Sequence, residues 1–279
     1  MTRVNLSLPQ RRGFGETLRK DYWWIEPTLV FLGFLTFIVY STWAALQGTH
    51  YFLHDNGANY LSPFYAPLIW DAPGQESHFA WFGPWPQWWP SFIPATPALL
   101  ILWAPGLFRF TCYYYRGAYY KAFWADPLSC SVGEPKFRCE NYRGEARLPL
   151  IFQNIHRYFM YIAVIFIGLL LWEAWYSLWW TTEDGSSKFG VGVGSVILFA
   201  NVFLLGGYTF GCHSLRHVIG GWRNAFSKAP VSKKAYDCVS CLNRRHMQWA
   251  WVSLFMVGFS DLYIRLCSMG IWTDWRIIG

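Results

Sequence analysis

The fold is decided by residues 190–217, which read GVGVGSVILFANVFLLGGYTFGCHSLRH. This stretch contains no Lys, Arg, Asp or Glu before Arg216. A helix needs roughly 20 apolar residues to cross a hydrocarbon core of about 30 Å, and this stretch is longer than that. Further long apolar stretches lie at 27–48, 92–115, 152–180 and 247–270. We therefore predict an all-α integral membrane protein with about five transmembrane helices that form a helical bundle.

The composition of the 279 residues supports this fold class. Hydrophobic residues make up 54% of the chain and charged residues only 14%, whereas soluble domains contain roughly 25% charged residues. The 19 tryptophans and 17 tyrosines suit two membrane–water interfaces, where amphipathic rings accumulate. The net charge of +7 is not gathered on a soluble domain, so we expect no nucleic-acid partner.

The distribution of positive charge predicts the orientation in the membrane. Residues 1–25, 116–150 and 218–246 contain five, six and six Lys or Arg residues, whereas residues 49–91 contain none. Because Lys and Arg accumulate in cytoplasmic loops, we expect a cytoplasmic N-terminus and an external C-terminus. The first apolar stretch is too long for a signal-peptide core and no clear cleavage site follows it, so we predict a retained helix.

The whole chain, 1–279, is predicted to be one membrane domain, because no repeat or low-complexity linker divides it. The external segment 49–91 is rich in Trp, Pro and Gly, and no regular helix is expected there. The cytoplasmic loops are predicted at 116–151 and 218–246. Basic and aromatic residues at 13–26 indicate an interfacial segment before the first span.

Histidines and cysteines gather at the predicted cytoplasmic ends of the spans. His213 and His217 are four residues apart, which places both imidazoles on one helical face, a common spacing of metal ligands. Cys238 and Cys241 form a C-x-x-C pair in the following loop. The candidate metal ligands are His156, Cys212, His213, His217, Cys238, Cys241 and His246.

Three interpretations of this set remain open. Thiolates together with imidazoles suit an iron–sulfur centre, and two Cys on one iron with two His on the other would form a Rieske-like 2Fe–2S cluster. Haem b would instead take two histidines from different helices, His156 with His213 or His217. In the third interpretation the histidines are structural and only cap helix ends.

The remaining cysteines are weaker candidates. Cys112 and Cys267 lie inside predicted spans, where a thiol usually packs as a small apolar group. Cys130 and Cys139 flank a predicted cytoplasmic loop and are interpreted as surface thiols, one of which could supply a ligand. No disulfide is expected on that face because the cytoplasm is reducing.

Three ionisable residues are predicted in the outer half of the membrane: Glu173, Asp261 and Arg265. Asp261 and Arg265 are four residues apart and share a helical face. One interpretation is a structural ion pair, because intramembrane charges usually pair. The other is a proton path, in which Glu173 and Asp261 lead from the outer face toward a buried redox site.

Several motifs together carry a resemblance to a known family. They are FRFTCYYYR at 108–116, LPL at 148–150, QNIHRY at 153–158, GCHS at 211–214 with Arg216 and His217, and Leu242–Asn243 with His246–Met247. These motifs resemble the single-chain, cytochrome b-type membrane anchor of actinobacterial-type succinate dehydrogenases and fumarate reductases. The resemblance runs from Phe108 to Arg276, and the N-terminal third matches less distinctly.

The resemblance implies a subunit of the bacterial plasma membrane that docks an iron–sulfur subunit and a flavoprotein subunit and passes electrons to a quinone, with menaquinone expected. It also implies that a Rieske-like centre can replace haem in some members. His156, Cys212, His213, His217 and His246 fall on matching motif positions, as does Cys130. One departure is Leu215, which stands where many relatives have a cysteine and cannot ligate iron.

A quinone needs an apolar slot and hydrogen-bond donors at its two oxygens. The candidates at suitable depth are Arg109, Tyr113, Tyr158 and Arg216. The resemblance also implies that the dicarboxylate chemistry of a tricarboxylic acid cycle enzyme lies in a partner subunit. Two other classes stay open: a haem-containing membrane cytochrome not associated with succinate dehydrogenase, and a transporter or metal-handling protein. A transporter would be expected to show discontinuous helices in paired halves, and the sequence shows no such symmetry.

Overall fold

The computed structural model describes residues 22, 24–54, 57–114, 123, 150–182, 184–221 and 225–278. Its helices are α1 (Ile25–Gln47), α2 (Pro97–Ile101), α3 (Trp103–Phe110), α4 (His156–Tyr176), α5 (Val193–Phe210), α6 (His213–Gly220), α7 (Pro230–Asn243) and α8 (His246–Ser268). Single 3-10 turns cover Leu150–Ile155 and Phe226–Lys228. Most of the predicted cytoplasmic loop 116–151, with Cys130 and Cys139, lies outside the described residues.

Short antiparallel strand pairs complete the described structure. Strand β1 (Phe52–Leu53) pairs with β2 (Tyr60–Leu61), β3 (Trp179–Thr181) with β4 (Ser187–Phe189), and β5 (Val191–Gly192) with β6 (Arg276–Ile278). Each pair has two or three residues per strand. The strands lie outside the long helices, in connections and after the last helix, so the prediction of an all-α membrane bundle is confirmed.

Within the described residues, four helices are long and apolar enough to cross a membrane: α1, the segment Ile151–Tyr176 that contains α4, α5 and α8. The N-termini of α4 and α8 lie at one end of the bundle, which we call the inner end because the charge distribution predicts that it faces the cytoplasm. The opposite end, where α1 and α8 finish, is called the outer end.

The predicted span at 92–115 differs from the expectation. It is a shorter, broken helix made of α2 and α3. Pro105 has no N–H to donate to the carbonyl of Ile101, one turn earlier, and this missing bond accounts for the break. The segment still runs from end to end, because Thr96 donates to the carbonyl of Ala45 at the outer end and Thr111 contacts an inner-end histidine.

The predicted span at 190–217 also ends earlier than expected. Helix α5 stops at Phe210, and a separate helix, α6, begins at His213. Cys212 between them has extended backbone, with ψ of 136°, and its Sγ accepts a hydrogen bond from the N–H of Ser214 at 3.3 Å. Cys212 therefore caps α6 and its thiol turns into the bundle, where it is fully buried.

Helices α5 and α8 form the central pair of the bundle. Their close approach depends on Gly207, because a Cβ there would lie 2.6 Å from Cε3 of Trp249. Helix α4 packs against α5 and α3. Helix α1 is peripheral. Only 17% of the residues in its apolar stretch are buried, compared with 56% for α5 and for α8. Most of its apolar side chains therefore face outward, as expected for a lipid-exposed helix.

The segment between α1 and α2 contains no helix among its described residues. Gly48 ends α1 with a left-handed φ of 62°, a conformation that glycine adopts without strain. Tyr65 then donates to the carbonyl of Ala44 at 2.8 Å and stacks on Tyr51 at 4.3 Å. This segment is therefore folded back onto the outer end of the bundle.

Candidate metal and quinone site

The inner end brings together three of the predicted metal ligands. Nε2 of His156 lies 3.1 Å from Sγ of Cys212, and the ligand atoms of His156, Cys212 and His213 all lie within 4.8 Å of one another. His156 begins α4, Cys212 is the N-cap of α6, and His213 is the first residue of α6. His156 and Cys212 are buried, with exposures of 1% and 0%.

A second thiol–imidazole pair adjoins these three residues. Sγ of Cys112 lies 3.5 Å from Nε2 of His246, and both residues are buried. The ring of Tyr114 contacts His213 and His246, with centroid distances of 6.0 and 5.4 Å. We call the five residues the inner cluster: Cys112, His156, Cys212, His213 and His246.

Aromatic rings fix the imidazoles of the inner cluster. Phe108 stacks on His156 at 4.7 Å with an interplanar angle of 7°, and Tyr208 stacks on His246 at 4.9 Å. Thr111 Oγ1 lies 2.9 Å from Nδ1 of His156, which leaves Nε2 of that ring directed at Cys212. Such neighbours orient a ligating histidine and keep water away from it.

Two nitrogens of the inner cluster have no protein partner among the described residues. Nδ1 of His213 and Nδ1 of His246 are buried and make no hydrogen bond. A buried polar atom without a partner costs about 1–3 kcal/mol. The donor set, two thiols and three imidazoles, is the set that iron–sulfur and zinc sites use. The residues therefore fit a bound metal centre.

The structure does not bring the other predicted ligands into this group. Nδ1 of His217 lies 3.1 Å from a guanidinium nitrogen of Arg157, outside the buried site. Cys238 and Cys241 lie on α7 and are exposed. A Rieske-like centre whose thiolates come from this C-x-x-C pair is therefore not supported, because the pair belongs to a surface helix.

Cys112 was missed by the sequence interpretation, which assigned it to the apolar core. It follows α3 directly, and its neighbour Thr111 contacts His156. The available signal was its place at the inner end of the second span, inside the FRFTCYYYR motif. Nothing in the spacing along the chain relates Cys112 to His246, because 134 residues separate them.

Arg109 is the predicted quinone residue that lines a cavity. Its guanidinium donates to the carbonyl of Ala250 at 2.9 Å and to Oγ of Ser253 at 2.8 Å, and it lies over the ring of Tyr208 at 4.7 Å. The cavity has a volume of about 190 Å³ and mostly apolar walls. Its lining includes Phe37, Phe64, Phe166, Leu205 and Tyr208.

The other predicted quinone residues lie elsewhere. Tyr113 contacts the ring of His213 at 6.3 Å, on the side of the inner cluster. Tyr158 is 66% exposed on the bundle surface. The guanidinium of Arg216 lies over Tyr236 of α7 at 4.9 Å. None of these three lines the cavity that contains Arg109.

The outer end holds a buried ion pair. Nε of Arg265 lies 3.3 Å from Oδ2 of Asp261, and the two side chains are 1% and 0% exposed. Asp261 also accepts hydrogen bonds from Tyr40 at 2.6 Å and from Ser62. Arg265 donates to the carbonyl of Thr49 at 2.8 Å. We call these residues the outer network: Tyr40, Thr49, Ser62, Asp261 and Arg265.

Glu173 is not part of the outer network. It lies near the outer end of α4, is partly buried, and its carboxylate makes no hydrogen bond or ion pair among the described residues. The two acids that the sequence analysis grouped as a proton path are therefore in different surroundings. The carboxylate oxygens of Asp261 have several hydrogen-bond and ion-pair partners, whereas those of Glu173 have none among the described residues.

Comparison with known proteins identifies the family. The profile of the actinobacterial succinate dehydrogenase subunit SdhC matches residues 25–270. The chain belongs to this family. It is also similar to a chain of the Mycobacterium smegmatis Sdh1 complex in the apo form, with 43% identity, a TM-score of 0.80, and coverage of 97% of this chain and 98% of that chain. A comparison with curated protein sequences finds no match.

This SdhC-family chain is thus a membrane subunit of a succinate dehydrogenase complex, an integral multi-pass protein of the plasma membrane. The matched residues include the whole inner cluster and the whole outer network. They also include the Trp- and Pro-rich external segment, so the similarity reaches further toward the N-terminus than the motifs from Phe108 onward indicated.

Proposed function

We propose that this subunit receives electrons from an iron–sulfur partner subunit at the inner end and delivers them to menaquinone in the cavity beside Arg109, and that the inner cluster would hold a metal centre. The observation that carries this proposal is one contact. Tyr208 stacks on His246 of the inner cluster and also lines the cavity. A single ring therefore separates the candidate redox centre from the candidate quinone site.

The metal centre would be held by His156, Cys212 and His213, with Cys112 and His246 as the nearest further donors. Two buried thiols favour an iron–sulfur centre over haem, because haem b would use two imidazoles and leave both thiols without a role. When bound, such a centre supplies one-electron transfer. The protein residues hold it, exclude water from it and orient its histidines.

The cavity suits the ring of a quinone because it combines apolar walls with a few polar groups. Phe64 and Phe166 provide flat apolar surface, and Arg109 provides positive charge at its inner side. Ser41 also lines the cavity and is a candidate donor. The hydrogen bonds from Arg109 to α8 fix the position of its guanidinium, so it is already in place when quinone arrives.

Protons for the quinol would come by way of Glu173 rather than Asp261. Asp261 is ion-paired with Arg265 and accepts two further hydrogen bonds, so both of its oxygens already have partners in the protein. Glu173 lies three residues beyond Leu170, a cavity-lining residue on the same helix. Its side chain is therefore one turn from the outer side of the cavity.

The iron–sulfur partner would dock at the inner end, and a flavoprotein subunit on that partner would oxidise succinate. Basic residues of α7 and of the turn that follows it carry the positive charge expected to meet an acidic partner surface. They are Lys233, Lys234, Arg244 and Arg245. A haem-containing cytochrome without these partners is the remaining alternative, and it predicts a haem spectrum.

The quinone site can be tested by filling the cavity. Gly106 lines it, and a Cβ added there has no atom within 4 Å. Gly106→Phe in the purified complex is expected to lower succinate:menaquinone-analogue turnover at least tenfold by occupying the quinone position. Succinate oxidation with phenazine methosulfate, which bypasses the quinone site, should stay unchanged.

Gly168→Phe is the matched control, since a Cβ at Gly168 also meets no atom and Gly168 does not line the cavity. Full quinone turnover in Gly106→Phe would rule out this cavity as the quinone site. Loss of turnover in both variants would show that turnover depends on the replaced helix glycines and not on the free space of the cavity.

A further inference from the structure

Asn201 has an unusual environment for a residue in the middle of a membrane helix. It lies on α5, is 1% exposed, and neither its Oδ1 nor its Nδ2 has a hydrogen-bond partner among the described residues. Its neighbours along α5 include the buried residues Ile197, Leu198 and Val202. A buried amide that lacks partners is costly, and more so in a membrane, where lipid offers none.

The position of Asn201 relates it to the cavity. Leu205 and Tyr208 lie four and seven residues further along α5, so all three share one helical face. Leu205 and Tyr208 both line the cavity. The volume of about 190 Å³ is far larger than the about 10–15 Å³ that one water needs. The cavity therefore has room for water, and Asn201 lies one helical turn from its lining residue Leu205.

We propose that Asn201 anchors a buried water at the outer side of the cavity and that this water relays protons to the bound quinone. This inference rests on the proposed quinone site. The amide is suited to the task because its Oδ1 accepts and its Nδ2 donates, so one side chain fixes the orientation of a water.

The relay balances without consuming water. Reduction of a quinone to a quinol takes up two electrons, delivered from succinate through the complex, and two protons. Each proton that the anchored water gives to a quinone oxygen is replaced by one from the next water or from the carboxyl group of Glu173. The water is thus restored after each transfer.

The bound water can be detected without any activity measurement. X-ray hydroxyl-radical footprinting of the purified complex labels side chains that lie next to bound water. We expect labelling at Leu198 and Leu205, and at least a fivefold loss of it in Asn201→Leu, whose apolar side chain has the same branched shape and the same number of heavy atoms. Trp88, which is 71% exposed, should be labelled equally in both proteins.

Absence of label at Leu198 and Leu205 in the wild type, or equal label in Asn201→Leu, would overturn the water site. Asn201→Leu should fold, because it removes an unpaired amide from an apolar environment. Asn201→Ser keeps a hydroxyl that can hold water and should retain part of the label.

The relay is tested by turnover. Asn201→Leu should lower succinate:menaquinone-analogue turnover at least tenfold and leave phenazine methosulfate reduction unchanged, and wild-type quinone turnover would overturn the relay. The Gly106→Phe experiment separates this failure from failure of the quinone site. If Gly106→Phe blocks turnover and Asn201→Leu does not, the quinone site stands and only the relay is wrong.

Discussion

The two ends of α8 carry polar clusters with opposite characters. At the outer end, Asp261 and Arg265 are buried but surrounded by hydrogen-bond partners from α1 and the external segment. At the inner end, His246 belongs to a group of imidazoles and thiols in which Nδ1 of His213 has no partner. A buried cluster whose polar atoms all have hydrogen-bond partners supports the fold. A buried cluster with unpartnered ligand atoms can instead bind a further group, such as a metal.

This comparison predicts that variants of the two ends fail differently. Variants of the outer network should lose stability, and those that leave a buried charge unpaired should lose the fold. Variants of the inner cluster should keep the fold and lose a bound centre.

The largest effect is expected for Arg265→Ala. Removing one partner of a buried ion pair costs about 3–5 kcal/mol, so this variant should fail to accumulate as a monodisperse complex in fluorescence-detected size exclusion. Asp237→Ala is the matched control, because Lys233 and Asp237 form another i,i+4 ion pair with side chains 56% and 58% exposed. Exposed pairs contribute about 0–1 kcal/mol, and the control should behave as wild type.

A smaller loss is expected for Tyr40→Phe. The change deletes one hydroxyl that donates to Asp261 at 2.6 Å and leaves the ring in place. A hydrogen bond to a charged group contributes about 1.5–3 kcal/mol, so the thermal midpoint of the solubilised complex should fall but the protein should still assemble. An unchanged midpoint would mean that Asp261 does not need this donor and that the outer network is less coupled than its contacts indicate.

Cys212→Ala should be milder still for the fold. The change removes a thiol and the cap on Ser214, and loss of a cap costs about 1 kcal/mol. The complex should assemble, while metal analysis should show less bound metal than in wild type. Misfolding as severe as that of Arg265→Ala would contradict the prediction that variants of the inner cluster keep the fold.

The smallest effect concerns pH at the outer end. Burial lowers the pKa of His78 from its ordinary value of 6.5, neighbouring His54 lowers it further, and Asp71 opposes both. A histidine with a lowered pKa takes up its proton more readily in the unfolded chain, so it reduces stability as the pH falls below about 6.5. His78→Gln should therefore show a smaller drop in thermal midpoint between pH 7.5 and 5.5. An equal drop in both proteins would assign the pH dependence to other groups.

Much of the architecture could be predicted from sequence, because apolar length determines which segments cross a membrane. Three of the predicted spans, 27–48, 152–180 and 247–270, correspond to α1, α4 and α8. The two that differ do so for local reasons. Pro105 breaks the second, and the extended backbone of Cys212 ends the helix of the fourth. Hydropathy averages over such single-residue effects.

The candidate site was predictable only where ligands lie near one another along the chain. The GCHS motif indicated Cys212 and His213, and His156 followed from its place at a helix end. Cys112 was harder to recognise, because His246, whose Nε2 lies 3.5 Å from its Sγ, is 134 residues away in sequence. Cys238 and Cys241 were predicted as metal ligands because of their spacing, yet both side chains are exposed on α7. Spacing along the chain indicates that ligands could meet, and packing decides whether they do.

The most direct test of the account is low-temperature electron paramagnetic resonance on the reduced, purified complex. Wild type is compared with Cys212→Ala and with the double variant Cys238→Ala/Cys241→Ala, whose thiols are exposed. The account predicts that one signal disappears in Cys212→Ala and that every signal persists in the double variant. A full set of signals in Cys212→Ala, or a signal lost only in the double variant, would contradict the claim that the inner cluster holds the redox centre.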